Sequence, residues 1–248
     1  MTVEDKRLII SPVYNEAETI LPFLESLRKT YNDDLLLVND GSTDTSSRII
    51  QSVNDKNIIS ISHEKRQGYG AALISGFNFA LNNGYTCVLT MDTDLQHNPE
   101  SAPLFFEMLQ KFDVVLGSRY MNPGDLSHVP TERYQINRRV AGIIEILFSV
   151  RFSDPFCGYR GFRKDFLEYA EFEFPGYGFA LETLTEIIRT GASFVEIPVE
   201  LIYFDNDRTF MDGLNDPCIR YQYYLDVLYH KRKRLYEEEN VSRCVAAS

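Results

Sequence analysis

The chain has 248 residues, 44% hydrophobic and 25% charged, with a formal net charge of −11. That composition belongs to a globular protein long enough to bury a proper core. The acidic balance excludes general nucleic-acid binding, which needs a basic face, but leaves room for a nucleotide ligand met by a metal and a few arginines.

The first half alternates strand and helix. Residues 7–13 read as a buried strand through Leu8, Ile9 and Ile10, and 15–30 carry Ile20, Phe23, Leu24 and Leu27 at helical spacing. A second strand at 34–38 precedes the turn Gly41-Ser42-Thr43-Asp44 and a helix through Val53; 57–62 is a third strand. Gly68-Tyr69-Gly70 opens a helix through Asn82, a strand at 86–91 follows, 99–110 is helical, and 113–117 is a fifth strand. Strands separated by helices imply a mostly parallel sheet with helices on both faces, with ligands at the carboxyl ends of its strands. Tyr14-Asn15-Glu16, Asn39-Asp40-Gly41 and the 92–96 segment all fall there.

The second half changes character. A loop rich in Gly, Pro and Asn at 121–130 leads into a long helix over 131–152, with Arg133 near its start and an apolar stripe of Ile136, Val140, Ile143, Ile144, Leu147 and Phe148. A Gly/aromatic loop at 154–163, a helix at 180–190, a strand at 194–203 and a final helix at about 217–239 complete the chain. There is no internal repeat or low-complexity linker, so one domain with two halves, 1–120 and 121–248, is expected. Cys87, Cys157, Cys218 and Cys244 form no C-x-x-C pair, which fits a reducing compartment and no zinc site. The N-terminus lacks a signal-peptide apolar core, and no window approaches the roughly 18 apolar residues of a membrane span. A cytoplasmic protein is expected, soluble or peripheral on the cytosolic face of a membrane.

The most informative stretch is Leu89-Thr90-Met91-Asp92-Thr93-Asp94-Leu95-Gln96. Two carboxylates one residue apart at a strand's end repel unless a cation sits between them. Mg²⁺ takes one or two carboxylates together with substrate phosphates, so the stretch reads as a place where a metal meets a phosphorylated substrate. The plainer alternative is a polar loop in which Asp94 or Asn98 caps the next helix.

Several segments, in order, resemble one family: Pro12-Val13-Tyr14-Asn15-Glu16, Val38-Asn39-Asp40-Gly41-Ser42-Thr43-Asp44, Gln67-Gly68-Tyr69-Gly70-Ala71-Ala72, Asp92-Thr93-Asp94-Leu95-Gln96-His97 and Gly117-Ser118-Arg119-Tyr120. Together they resemble the glycosyltransferase family 2 catalytic domain. The Asp-x-Asp-Leu-Gln-His form and Cys157-Gly158-Tyr159-Arg160-Gly161-Phe162-Arg163 are most similar to dolichyl-phosphate mannosyltransferases and related polyprenyl-phosphate glycosyltransferases. The resemblance implies an α/β GT-A fold and a metal-dependent, inverting transfer of a hexose, of mannose or glucose type, from a nucleotide-sugar to a lipid phosphate. On it, Pro12, Tyr14, Glu16, Val38 and Asp40 hold the nucleoside; Gly68-Tyr69-Gly70 is read as close backbone packing or as a helix N-terminus near the ligand. Asp92, Asp94 and Gln96 bind Mg²⁺ or Mn²⁺ on the donor diphosphate, and Thr93 lends its backbone. Arg119 reaches phosphate, Arg133 and Asn137 face the lipid phosphate, and Arg208 clamps the donor diphosphate.

The chain departs from the mannosyltransferase pattern where a lysine is expected among Gly176-Tyr177-Gly178-Phe179 and where Ser-Lys is expected after Arg208. GDP- and UDP-linked donors therefore both stay open. A family 2 enzyme with a saccharide or other soluble acceptor, or a non-catalytic nucleotide-sugar-binding subunit, are the rival readings. His97, Asp44 and Cys157 are expected to be structural, and Glu182 is the candidate base should the acceptor not be a phosphate. Arg138 and Arg139 are as readily surface charges as ligands. The 131–152 stripe suits either a core or a membrane interface, and Lys231-Arg232-Lys233-Arg234 suits either anionic lipid or a solvated helix end.

Overall fold

A computed structural model describes residues 5–122, 124, 126–127, 129–202 and 210–246. Seven strands form one sheet: β1 (Arg7–Val13), β2 (Asp34–Asn39), β3 (Ile58–Ser62), β4 (Cys87–Thr90), β5 (Val114–Ser118), β6 (Arg160–Arg163) and β7 (Phe194–Pro198). Their order is β3-β2-β1-β4-β6-β5-β7. All neighbours run parallel except β6, which lies antiparallel between β4 and β5. The helices are α1 (Ile20–Leu27), α2 (Ser46–Ser52), α3 (Tyr69–Asn82), α4 (Ala102–Met108), α5 (Thr131–Phe148), α6 (Lys164–Tyr169), α7 (Phe179–Thr190) and α8 (Pro217–Ala246).

The side-chain period of two divides each strand's apolar run between two faces. Leu8, Ile10, Leu36, Val38 and Val88 pack on one side against α3, α5, α7 and α8. Ile9, Leu35, Leu37 and Leu89 pack on the other against α1, α2 and α4. Both faces are thus dry, which is why these strands read as continuous hydrophobic runs rather than alternating ones. Within α5, Ile136, Val140 and Ile144 face the core, with Ile143, Leu147 and Phe148 packed partly against it, so most of the stripe is core; Ile146 is 82% exposed.

Three elements differ from the sequence reading. The first helix begins at Ile20 rather than near Asn15, because Asn15 adopts a left-handed φ of 56° and accepts the Thr43 amide on Oδ1 (2.8 Å). The 154–163 loop ends in strand β6, whose glycine and two arginines mask a strand pattern but whose register sets Thr90 against Arg160. The long helix stops at Phe148 because Ser149 takes a left-handed cap. Among the described residues no helix is long and apolar enough to cross a membrane.

Beyond β1, the chain passes to β2 and β3 on one side, and on the other the sheet continues through β4. A parallel sheet opens a crevice at such a switch point. The loops after β1 and β4 meet there.

Candidate active site

The acidic loop leaves β4 with its shape set locally. The Asp92 amide donates to His97 Nδ1 (3.1 Å), and the Gln96 amide donates to Asp94 Oδ1 (2.9 Å). Leu95 between them adopts a φ of 66°, a left-handed turn that a branched residue takes only under constraint. Asn98 caps the following turn by accepting the Glu100 amide (3.0 Å). His97 is buried and stacks on Tyr159, with ring centroids 4.9 Å apart. Because Nδ1 accepts, Nε2 carries the ring proton in this network; it lies 4.0 Å from Asp92 Oδ2. His97 is thus a support for the loop.

From the start of α3, Tyr69 donates its hydroxyl to Asp92 Oδ1 (3.1 Å). Burial, reinforced by the Asp92 charge, pushes the phenol pKa well above its ordinary value, so it stays a donor. Gly158 makes this approach fit: a Cβ there would stand 2.9 Å from Tyr69 Oη and 3.0 Å from Asp92 Oδ2. Thr90 Oγ1 ties that segment down by donating to the Gly158 carbonyl (2.7 Å).

Two cavities meet at Asp92 and Gln96. The larger, about 1030 Å³, is lined by Pro12, Tyr14, Glu16, Asp40, Thr93 and Asp94, and by Arg66. The Arg66 guanidinium lies 5.3 Å from the Tyr14 ring centroid and pairs in a fork with Asp212 (2.8 and 2.9 Å). Asp40 is nearly saturated, since its carboxylate accepts from His63 Nδ1 (2.7 Å), the Gln67 amide (2.8 Å) and the Gly68 amide (2.8 Å). Its clearest task is therefore to hold the chain entering α3. Asp44 Oδ1 accepts the Ser46 amide (2.9 Å), a structural role at the head of α2.

The smaller cavity, about 210 Å³, is lined by Arg119, Arg133, Asn137 and Arg220 among aromatic and apolar side chains. Arg119 is aimed by Asp154, whose buried carboxylate accepts Arg119 Nε (2.7 Å) and Nη2 (2.9 Å), Asn137 Nδ2 (2.7 Å) and the amides of Arg119 and Phe156. Burial pushes the Asp154 pKa up, but the Arg119 charge and these donors outweigh it and hold the carboxyl below its usual range. Asn137 Oδ1 is buried without a hydrogen-bond partner among the described residues. The Phe210 ring lies between two guanidiniums, 4.1 Å from Arg220 and 5.0 Å from Arg133.

Most residues singled out from sequence thus line one cavity or the other. Val38 does not: it shares a sheet face with its register partner Pro12 but is fully buried in the apolar cluster that includes Ala72, Leu73 and Phe77 of α3. Gly68 serves packing, with a φ of 116° and a Cβ position only 2.5 Å from the Pro175 carbonyl oxygen. Arg208 lies outside the described residues. Glu182 is displaced from the chemistry: fully buried between α7 and α8, it accepts the amides of Glu173 and Phe174 and faces Lys231 Nζ at 3.3 Å. Lys231 in turn is 1% exposed and also meets Glu186 at 2.8 Å, which removes it from any lipid-facing basic cluster. Arg138 and Arg139 are exposed.

Sequence reading missed Asp154, Arg66 and Arg220. Arg66 sits directly before the Gln67-Gly68 motif, a signal that was available; Arg220, in a helix entered from a distant loop, carried none. Among the described residues no group of three or more His, Cys, Asp or Glu could hold a metal. The oxygen donors are two carboxylates and the Gln96 amide, a set that suits a hard cation sharing its remaining positions with phosphate and water.

Residues 8–169 match the Glycosyl transferase family 2 model. The chain is 30% identical over 212 residues to an undecaprenyl-phosphate mannosyltransferase of Micrococcus luteus, covering 83% of this chain and 87% of that one. It is 27% identical over 218 residues to a polyprenol monophosphomannose synthase of Mycolicibacterium smegmatis, covering 85% and 82%. In fold it is similar to glucosyl-3-phosphoglycerate synthase from Mycobacterium tuberculosis, solved with Mn²⁺, uridine diphosphate and phosphoglyceric acid: TM-score 0.71 at 19% identity, over 92% of this chain and 79% of that one. The α/β sheet with its two-sided cleft is accordingly a GT-A fold, and the chain belongs to glycosyl transferase family 2, a family of glycosyltransferases.

Proposed function

We propose that this enzyme moves a hexosyl group from a nucleotide-sugar to a polyprenyl or dolichyl phosphate, with inversion at the anomeric carbon. The observation that carries the reading is the meeting of two cavities at Asp92 and Gln96, one rimmed by the loops after β1 and β4, the other lined by three arginines. The donor's nucleoside takes the larger cavity along Pro12, Tyr14 and Glu16. Asp92, Asp94 and Gln96 would hold Mg²⁺ or Mn²⁺, which when bound neutralises charge growing on the departing nucleoside diphosphate. Arg119 and Arg133 present guanidinium forks, whose planar geometry suits phosphate oxygens.

A phosphomonoester has its second pKa near about 6, so at neutral pH the acceptor oxygen is already an anion. It attacks the anomeric carbon as the bond to the diphosphate oxygen breaks, and no proton has to move. The arginines then act by positioning. The absence of Glu182 from both cavity linings fits this chemistry. Met121, Met211 and Ile219, each next in sequence to a cavity-lining residue (Tyr120, Phe210 and Arg220), are exposed apolar side chains. The Micrococcus luteus and Mycolicibacterium smegmatis relatives are by name an undecaprenyl-phosphate mannosyltransferase and a polyprenol monophosphomannose synthase.

A second reading, a small phosphorylated hydroxy-acceptor, is favoured by the modest 210 Å³ of the arginine-lined cavity and by Asn137 Oδ1, which has no partner among the described residues and which a hydroxyl would satisfy. Incubation with labelled nucleotide-sugars, Mn²⁺ and either lipid phosphate or phosphoglycerate separates the two. Label entering the organic phase supports the lipid acceptor; label confined to a water-soluble phosphorylated glycoside overturns it in favour of the second.

A further inference from the structure

Group transfer constrains where the sugar lies. Its anomeric carbon is bonded to a diphosphate oxygen on the donor side and is attacked from the acceptor side, so the pyranose ring belongs where the two cavities join. Among the described residues, six line both cavities: Tyr69, Asp92, Gln96, Arg133, Tyr177 and Phe210. Three of them offer polar or charged groups, and three are aromatic. We propose that Tyr177 is a specificity-determining contact for the transferred hexosyl group, its ring bearing on the C–H hydrogens of the pyranose. The proposal rests on the hexosyl-transfer reading above and adds the surface that receives the sugar.

Tyr177 is the middle of a short aromatic wall. Its ring stacks beside Tyr69, with centroids 6.2 Å apart and planes inclined by 15°, and meets Phe210 at 5.5 Å and 78°. All three side chains are only half-buried. Tyr69 and Phe210 have other duties, since the Tyr69 hydroxyl donates to Asp92 and the Phe210 ring lies against the Arg220 and Arg133 guanidiniums. Changing either would disturb the acidic loop or the arginines as well, which makes Tyr177 the ring to test. Its backbone is fixed from two sides. The Pro175 carbonyl accepts the Ala71 amide from α3 (3.0 Å), and the Gly178 amide donates to the Tyr223 hydroxyl on α8 (3.0 Å). A Cβ on Gly178 would stand 2.7 Å from that hydroxyl, so the chain on which Tyr177 rides is pressed closely onto α8.

An aromatic ring suits a sugar because the faces of a pyranose differ from its rim. Slightly positive C–H hydrogens project from the faces, while hydroxyls crowd the rim, and a π-system presents a negative face to the former. Ligand sites pair such a lining with a few placed polar groups, here those of Gln96 and Arg133. Metal ligands and arginines hold phosphate whether or not a sugar is attached. The contact at Tyr177 is made only by the sugar, so its loss falls on the sugar-bearing ligand alone.

The test is calorimetric titration of the purified full chain in Mn²⁺, without acceptor, using UDP against UDP-glucose and GDP against GDP-mannose. Tyr177→Ala is expected to raise the dissociation constant of the nucleotide-sugar about tenfold, the scale of one aromatic contact, and to leave that of the nucleoside diphosphate unchanged. Tyr177→Phe keeps the ring and should bind both ligands as the wild type does. Tyr177→Leu keeps apolar bulk without a π-system, carries the same expectation as Ala, and replaces it should the smaller variant melt below the assay temperature. Phe79→Leu is the control for general loosening: that half-buried ring packs 6.3 Å from Tyr85 and lines neither cavity, so neither constant should move. Unchanged nucleotide-sugar affinity in the variants lacking the ring overturns the proposal. So does an equal loss for nucleotide and nucleotide-sugar, or a loss in Tyr177→Phe as large as in Tyr177→Ala. A wild type that binds no nucleotide-sugar overturns the hexosyl-transfer reading and this proposal with it, a failure told apart because it shows before any residue is changed.

Discussion

Replacing Asp154 with Asn isolates the element that aims the arginine-lined cavity. The native carboxylate is buried and collects five donors, including both forks of Arg119 and the Asn137 amide. Asn keeps the shape but loses the charge, and turns an NH₂ group toward groups that are themselves donors. Removing one partner of a buried ion pair leaves the other charge uncompensated, at a cost of about 3–5 kcal/mol. The Arg119 side chain retains 17% exposure, which places the expectation near the low end, about 3 kcal/mol. For a chain of this length each kcal/mol moves the melting temperature by about 2–4 °C, so a fall of about 6–12 °C is expected. The pH dependence has a definite sign. The folded pKa is depressed, so the stabilisation is present above the unfolded carboxyl value near about 4 and is lost as pH falls through the lower folded value. The gap between wild type and Asp154→Asn should therefore be widest at neutral pH and close in acid. Replacing Arg119 and Asp154 together by leucines should cost less than the two single leucine replacements summed, since neither charge is then stranded. Thermal and urea melts of the five proteins decide it. A single variant melting with the wild type, or strict additivity in the double, would refute the account.

Asp94→Ala should abolish Mn²⁺-stimulated turnover while leaving the melting temperature without nucleotide nearly unchanged; full activity would remove it from the cation site. Arg133→Ala deletes a charged hydrogen-bond donor worth about 1.5–3 kcal/mol, so the acceptor KM should rise about ten- to a hundredfold with the donor KM little changed, as measured by separate titrations. Glu182→Gln should preserve turnover per folded molecule while lowering stability, because Lys231 loses one of its buried counter-charges; a large fall in turnover at unchanged stability would restore it as a base.

Of the site, the parts legible in advance are those written in local chain order. Glu16, Asp40 and the 92–96 segment each follow a buried strand directly, and the carboxyl ends of parallel strands are where a doubly covered sheet opens. Glu182 was misplaced for the opposite reason. An acid in an apolar helix looks poised for chemistry, yet which face of α7 meets the cleft is decided by α8, whose Lys231 arrives from 49 residues away. Val38 shares a face with the cavity-lining Pro12, its register partner, yet lies under α3 packing that only the folded chain supplies. The strand at 160–163 was hidden because glycine and arginine carry little strand propensity; it forms by pairing on both edges with β4 and β5.

What the chain's order of residues determined by itself was the alternation of buried strands and amphipathic helices, the turn chemistry at Asn39-Asp40-Gly41 and Asn98-Pro99, and the paired acids at Asp92 and Asp94, because each depends on periodicity or on groups a few bonds apart. Only the tertiary structure decided that Asp154 aims Arg119, that Tyr69 grips Asp92, that Arg66 and Arg220 join opposite cavities, and that Lys231 is interior. Those contacts join residues that a linear reading separates by between 23 and 146 positions, and their energies exist only once the sheet has brought the strand ends together and excluded water from between them.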